Sequence, residues 1–166
     1  MKFLLLSLLS VYLFMSCSKN NNPLIEVDRE TFEKEHIAWD VQNIKNYIFT
    51  YEYSSNSMPF YGLVKITIQE GHEPIIEHSY DYIENIPYTS IAGIYEQLNN
   101  LFDDMEKIKK RTYSHYTVES AILRIEYDTQ YHYPKKISHV VVLTDKGIPI
   151  PGNPSIKMEI TSFLSF

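Results

Sequence analysis

Tyr47-Ile48-Phe49-Thr50-Tyr51-Glu52-Tyr53 is the stretch at which the pattern of this chain changes from a helical period to a period of two. Its odd positions are all aromatic, so as a strand it places four rings on one face and Ile48, Thr50, Glu52 and Ser54 on the other. Such a row reads as a core strand under a helix, with the tyrosine hydroxyls reaching the rim; the other reading is an aromatic binding platform. Upstream, Asp28 offers an N-cap, and Glu30 and Glu33 suit the positive end of a helix. Ile37, Val41, Ile44 and Ile48 recur at helical spacing with Phe32 and Trp39 nearby, which predicts an amphipathic helix over 29–46. Downstream, residues 62–69 alternate as a second strand. Glu70-Gly71-His72-Glu73 makes a turn into a third strand near 74–82.

The second half repeats this order. Thr89 or Ser90 is a candidate N-cap for the longest apolar stripe in the chain, Ile91, Ile94, Tyr95, Leu98, Leu101, Phe102, Met105 and Ile108. Leu98 and Phe102 are expected at the centre of the core. Strands follow at 117–128, 135–144 and 155–163, separated by proline-containing turns. Val64-Lys65-Ile66-Thr67-Ile68, a turn and Pro74 are echoed by Leu123-Arg124-Ile125-Glu126-Tyr127, a turn and Pro134. The expected fold is therefore α+β: two αβββ units sharing one antiparallel sheet, with two helices packed on one face.

Met1 to Cys17 has a positive start at Lys2, an apolar core from Phe3 to Met15, and a serine before the cysteine. Its apolar run, about 13 residues, falls short of the ~20 of a membrane-spanning helix. Leu13-Phe14-Met15-Ser16-Cys17 resembles the lipobox of bacterial lipoproteins. That resemblance implies a diacylglyceryl group on the Cys17 thiol, removal of the signal, and a further acyl chain such as palmitate on the new amino terminus. Two or more chains, at ~0.8 kcal/mol per buried methylene, make a stable anchor. The alternative is an ordinary secretory signal. The expected organisation is a signal over 1–17, a flexible tether over 18–27 and one domain over 28–166. The expected location is the bacterial cell envelope, lipid-anchored to a membrane (the outer one where the organism has one), with the domain in the periplasm or on the surface.

Cys17 is the only cysteine, so the domain has neither a disulfide nor a thiolate metal cluster to rely on. A hydrophobic content of 44% supplies a core instead. The formal net charge of −6 becomes one unit more negative once Lys2 leaves with the signal, which argues against a nucleic-acid partner.

Tyr127-Asp128-Thr129-Gln130-Tyr131-His132-Tyr133-Pro134, together with Trp39, Tyr47-Ile48-Phe49-Thr50-Tyr51 and Leu101-Phe102-Asp103, resembles an uncharacterised family of secreted bacterial domains of unknown function. His132 stands where that family prefers glycine. The resemblance implies a fold and no activity. From the residues themselves, no serine sits in a glycine-flanked elbow and no glycine loop cradles phosphate. His72, His78, His132 and His139 flank two hairpins and are candidate metal ligands or hydrolytic groups. Phe60, Tyr61, Tyr131 and Tyr133 lie in or beside loops and are candidate anchors of a binding surface. Two readings result. One is a non-enzymatic, lipid-anchored module that binds an envelope protein or polymer and needs no cofactor. The other is a metal-binding protein or hydrolase using the hairpin histidines.

Overall fold

The inward aromatic row of the decisive strand is buried along its whole length, and the sheet assembles on both sides of it. The computed structural model describes residues 23–56, 62–78, 86–110 and 116–166. Its elements in chain order are β1 (Leu24–Glu26), α1 (Arg29–Gln42), β2 (Tyr47–Ser55), β3 (Gly62–Ile68), β4 (Ile75–His78), α2 (Ile91–Lys109), β5 (Thr117–Tyr127), β6 (Pro134–Asp145), β7 (Ile148–Pro149) and β8 (Ser155–Ser165). The strands form one sheet in the order β1-β5-β6-β8-β2-β3-β4, with the two-residue β7 paired to β6.

This arrangement overturns the expected pair of αβββ units. The last long strand, β8, does not close a second unit; it inserts between β6 and β2 and is antiparallel to both. The sheet is also mixed rather than antiparallel, because β1 pairs with β5 in parallel register, Leu24 opposite Ser120 and Glu26 opposite Ile122. Residues 24–26 were expected in the tether. They are drawn into the sheet because Ile25 and Val27 pack against the core, and Glu26 is gripped by Arg124. The physical reason for the insertion lies in β2. A three-stranded unit would leave the buried row Tyr47, Phe49, Tyr51 and Tyr53 with an unpaired backbone edge, and β8 satisfies that edge.

Burial selects the helix faces. In α2 the stripe Ile91, Ile94, Tyr95, Leu98, Phe102, Met105 and Ile108 is buried, and Ser90 caps the helix by accepting a 2.9 Å hydrogen bond from the Gly93 amide. The expected stripe on α1 fails: Ile37 and Val41 are 64% and 77% exposed. Phe32 and Trp39 are buried instead, with His36 between them at the same helical spacing. Phe32 lies 4.6 Å from the Phe102 ring and Trp39 meets Tyr47 edge-on at 5.7 Å. The larger aromatic area outweighs the two aliphatic chains in choosing which side faces inward. Asp28 caps α1 by accepting from the Thr31 amide at 2.9 Å, and Asn43 ends it in the left-handed region.

Two hydroxyls of the β2 row join sheet to helix. Tyr47 Oη accepts from the Ile91 amide at 3.2 Å, at the start of α2, and Tyr51 Oη donates to the Tyr88 carbonyl at 3.0 Å. Burial raises the pKa of both phenols from its ordinary value, so they act only as hydrogen-bonding groups.

Leu98→Ala should lower unfolding free energy by about 2–5 kcal/mol in urea titrations, since Leu98 lies fully buried in the stripe. A loss below about 1 kcal/mol would mean that α2 docks differently. Tyr51→Phe, which keeps the ring and strands the Tyr88 carbonyl, should cost about 1–3 kcal/mol by the same titration.

Candidate functional site

Strand alternation that turns the aromatic rows inward turns a charged surface outward. On β2 the outward residues include Glu52 and Ser54, and pairing aligns them with outward residues of three other strands. Glu52 lies opposite Glu159, Glu159 opposite Lys136, and Lys136 opposite Glu126. Two residues along, Ser54 lies opposite Lys157, Lys157 opposite Ser138, and Ser138 opposite Arg124. These two rows line a cleft of about 780 Å³ on the outer face, closed at one side by Gly62 and Leu63 of β3.

Part of this charge is paired. Lys136 Nζ is 3.2 Å from Glu159 Oε1, and Arg124 grips Glu26 through two bonds of 3.0 and 3.2 Å. Glu52, Glu126 and Lys157 make no ion pair among the described residues. Glu52 and Glu159 face each other directly, and like charges at opposed positions are mildly unfavourable. Exposed pairs of this kind contribute only ~0–1 kcal/mol, so exchanging one for an external partner is easy. None of these residues stood out in the sequence. The available signal was the outward phase of each strand, even positions on β2, β5 and β6 and odd positions on β8, and it becomes a site only once the strand order is known.

The histidines do not converge. His72 sits in the β3–β4 turn, its Nδ1 3.0 Å from the Glu70 carbonyl, and His78 is exposed on β4. His139 is on β6, four strand spacings from β4, or about 19 Å across the sheet. Ligands that bind zinc at ~2.0 Å cannot share an ion over that span. Among the described residues no group of three or more His, Cys, Asp or Glu side chains could hold a metal ion.

His132 belongs to a separate construction. It occupies the β5–β6 turn with φ of +61°, the left-handed region that glycine favours, which is a physical reason for glycine at this place in the resembling hairpins. Its Nδ1 lies 2.7 Å from Glu35 Oε2 of α1, and its carbonyl accepts from the Tyr95 hydroxyl. Asp128 organises the turn, its Oδ1 accepting from the amides of Gln130 and Tyr131 at 3.0 and 2.8 Å. Tyr131 and Tyr133 then pack on Phe163 of β8, at 5.0 and 4.6 Å between rings, and Tyr133 is only 5% exposed. These two aromatics pin the hairpin to the sheet and leave little surface for a partner. Phe60, Tyr61 and Cys17 lie outside the described residues.

His139 is 8% exposed, with Leu123 and Ile156 opposite it on the neighbouring strands, and its Nε2 has no hydrogen-bond partner among the described residues. Burial lowers its proton affinity below the ordinary value of 6.5, and Asp104 of α2 opposes the shift only in part. The folded state therefore binds this proton less readily than the unfolded chain. Its stability is intact above about pH 6.5 and falls as pH drops through that value, levelling off below the folded value. In urea titrations between pH 8 and 5, His139→Phe should flatten this dependence relative to the unsubstituted chain; parallel curves would refute the assignment.

Residues 31–139 match the model of a family of unknown function (DUF6174). No curated protein matches the chain. The matched range runs from the first turn of α1 into β6, and so takes in both helices, the aromatic strand and the hairpin built around Asp128. It covers well over half of the 166 residues, and the chain belongs to this family.

Proposed function

We propose that this protein is a non-enzymatic binding module held at the bacterial cell envelope by lipid on Cys17, and that it recognises its partner through the outer face of the sheet. The observation that carries the second half of this reading is the cleft of about 780 Å³ lined by Glu52, Glu126 and Lys157, which make no ion pair among the described residues. A merely solvated sheet face gains nothing from opposed carboxylates, whereas a face that receives a charged partner uses them. The first half rests on the apolar segment that ends at Cys17 and on the polar residues 18–22 that follow it. No helix among the described residues is long and apolar enough to cross a membrane. Acyl chains such as palmitate at Cys17 would supply location, and the cleft would supply recognition.

A second reading rests on Glu35 and His132. A carboxylate 2.7 Å from an imidazole nitrogen is an arrangement that hydrolases use to orient a base. His132→Gly separates the two readings, because glycine accepts φ of +61° without strain while removing the imidazole. The module reading expects partner capture unchanged; the hydrolase reading expects an activity lost.

Growth with a clickable fatty acid should label the protein, and Cys17→Ser should abolish the label and release the chain from the membrane fraction. A label that persists in Cys17→Ser refutes the anchor. For recognition, a photo-crosslinking residue at Lys157 should capture one dominant envelope species, while the same residue at exposed Val41 on α1 captures none. Lys157→Glu should abolish capture from a crosslinker at Ser138 without changing thermal stability. Equal capture from Val41 would refute the outer face as the recognition surface.

A further inference from the structure

From the unpaired charges of the cleft we infer that the partner presents an extended polypeptide segment with the pattern basic–x–acidic–x–basic, lying across the strands rather than along them; this rests on the outer-face reading above. At the cleft, residues 136–138 of β6, 157–159 of β8 and Glu52 and Tyr53 of β2 pair with neighbouring strands on both sides, so an occupant of this face is read by side chains and not by strand addition. Among the described residues, the cleft charges left over after internal pairing are Glu126 on β5, Lys157 on β8 and Glu52 on β2.

Their spacing decides the class of occupant. β5 and β2 are three strand steps apart, so Glu126 and Glu52, which lie in one cross-strand row, are separated by about 14 Å. In an extended chain, residues i and i+4 share a face and are also about 14 Å apart. Basic side chains at those two positions would each meet one carboxylate. Residue i+2 then falls midway, over β6 and β8. Lys157 stands there one row away, about 7 Å along β8 from Glu159, and Lys136 is already tied to Glu159. An acidic residue at i+2 meets that positive centre. An extended peptide supplies alternating groups at this interval from its own backbone period, and the cleft supplies the complement in the opposite order of sign.

The test uses the full-length chain in detergent and two fluorescein-labelled heptapeptides, Ser-Lys-Ser-Asp-Ser-Lys-Ser and its sign-reversed counterpart Ser-Asp-Ser-Lys-Ser-Asp-Ser, read by fluorescence anisotropy. The first should bind about tenfold more tightly than the second, as two or three exposed ion pairs imply, and the difference should shrink as salt is raised. Glu52→Lys combined with Glu126→Lys should reverse the preference while leaving the melting temperature within a few degrees, both residues being exposed. Equal affinity for the two peptides, or a preference unmoved by the double reversal, overturns the inference. If a crosslinker at Lys157 still captures a glycan or a protein without this pattern, the partner class is wrong and the outer-face reading stands. If Lys157 captures nothing beyond Val41, both fail together.

Discussion

A tyrosine is buried at least cost where its hydroxyl finds a partner, and that preference organises this protein. The β2 row contributes four rings to the core, and stranding a phenol hydroxyl there would cost about 1–3 kcal/mol. Tyr47 and Tyr51 escape that cost by bonding to the backbone just before and at the first turn of α2. The same contacts fix where α2 starts over the sheet, and the helix then carries its stripe across the remaining strands. Tyr95 extends the arrangement to the far side, bonding the carbonyl of His132 and stacking on His36 at 4.2 Å. The start of α2 and the position of the hairpin thus follow from where aromatic hydroxyls can be satisfied, and α1 follows through the ring contacts of Phe32, His36 and Trp39. Tyr127 is the exception: its buried hydroxyl has no partner among the described residues and borders a small cavity of about 40 Å³. That is room for a single water with Asp28 and Thr31 at its wall.

The elements were legible in the sequence, and their assembly was not. β2, β3, β5, β6, β8 and α2 fall close to the stretches that periodicity marks, because each has a run of side chains long enough to declare its own face. β1 is three residues long and has no period to read; only its parallel partner makes it a strand. On α1, counting apolar positions favoured Ile37 and Val41, whereas burial favoured Phe32 and Trp39, because area and not number sets the free energy. The apparent repeat between the two halves misled for a related reason. Strand–turn–proline–strand recurs wherever hairpins do, and it carries no information about which edge a later strand will seek.

The candidate site was hidden by the same limit. Glu52 and Glu159 are adjacent in space and more than one hundred positions apart in the chain, and nothing local to either residue announces the other. Histidines, by contrast, drew notice as a residue type, and the fold then distributed them to two turns, the edge strand β4 and the interior strand β6. What the sequence did hold was the phase of each strand. Once aromatics are assigned inward, the outward charges follow automatically, and only the neighbour relations are missing.

The placement of β8 has a consequence for biogenesis. Its residues close the open edges of both β2 and β6, so neither half of the sheet has a completed ladder until residues 155–165 are available. A chain synthesised amino-terminus first would hold its aromatic strand with an unprotected edge until those residues arrive. Folding then waits for the final strand, and the contacts it makes are among the most distant in the chain, which places this domain with slow, non-local folders. Such a polypeptide stays short of its native sheet for as long as β8 is withheld. It commits to its native shape only when both of its sheet halves have β8 to meet on.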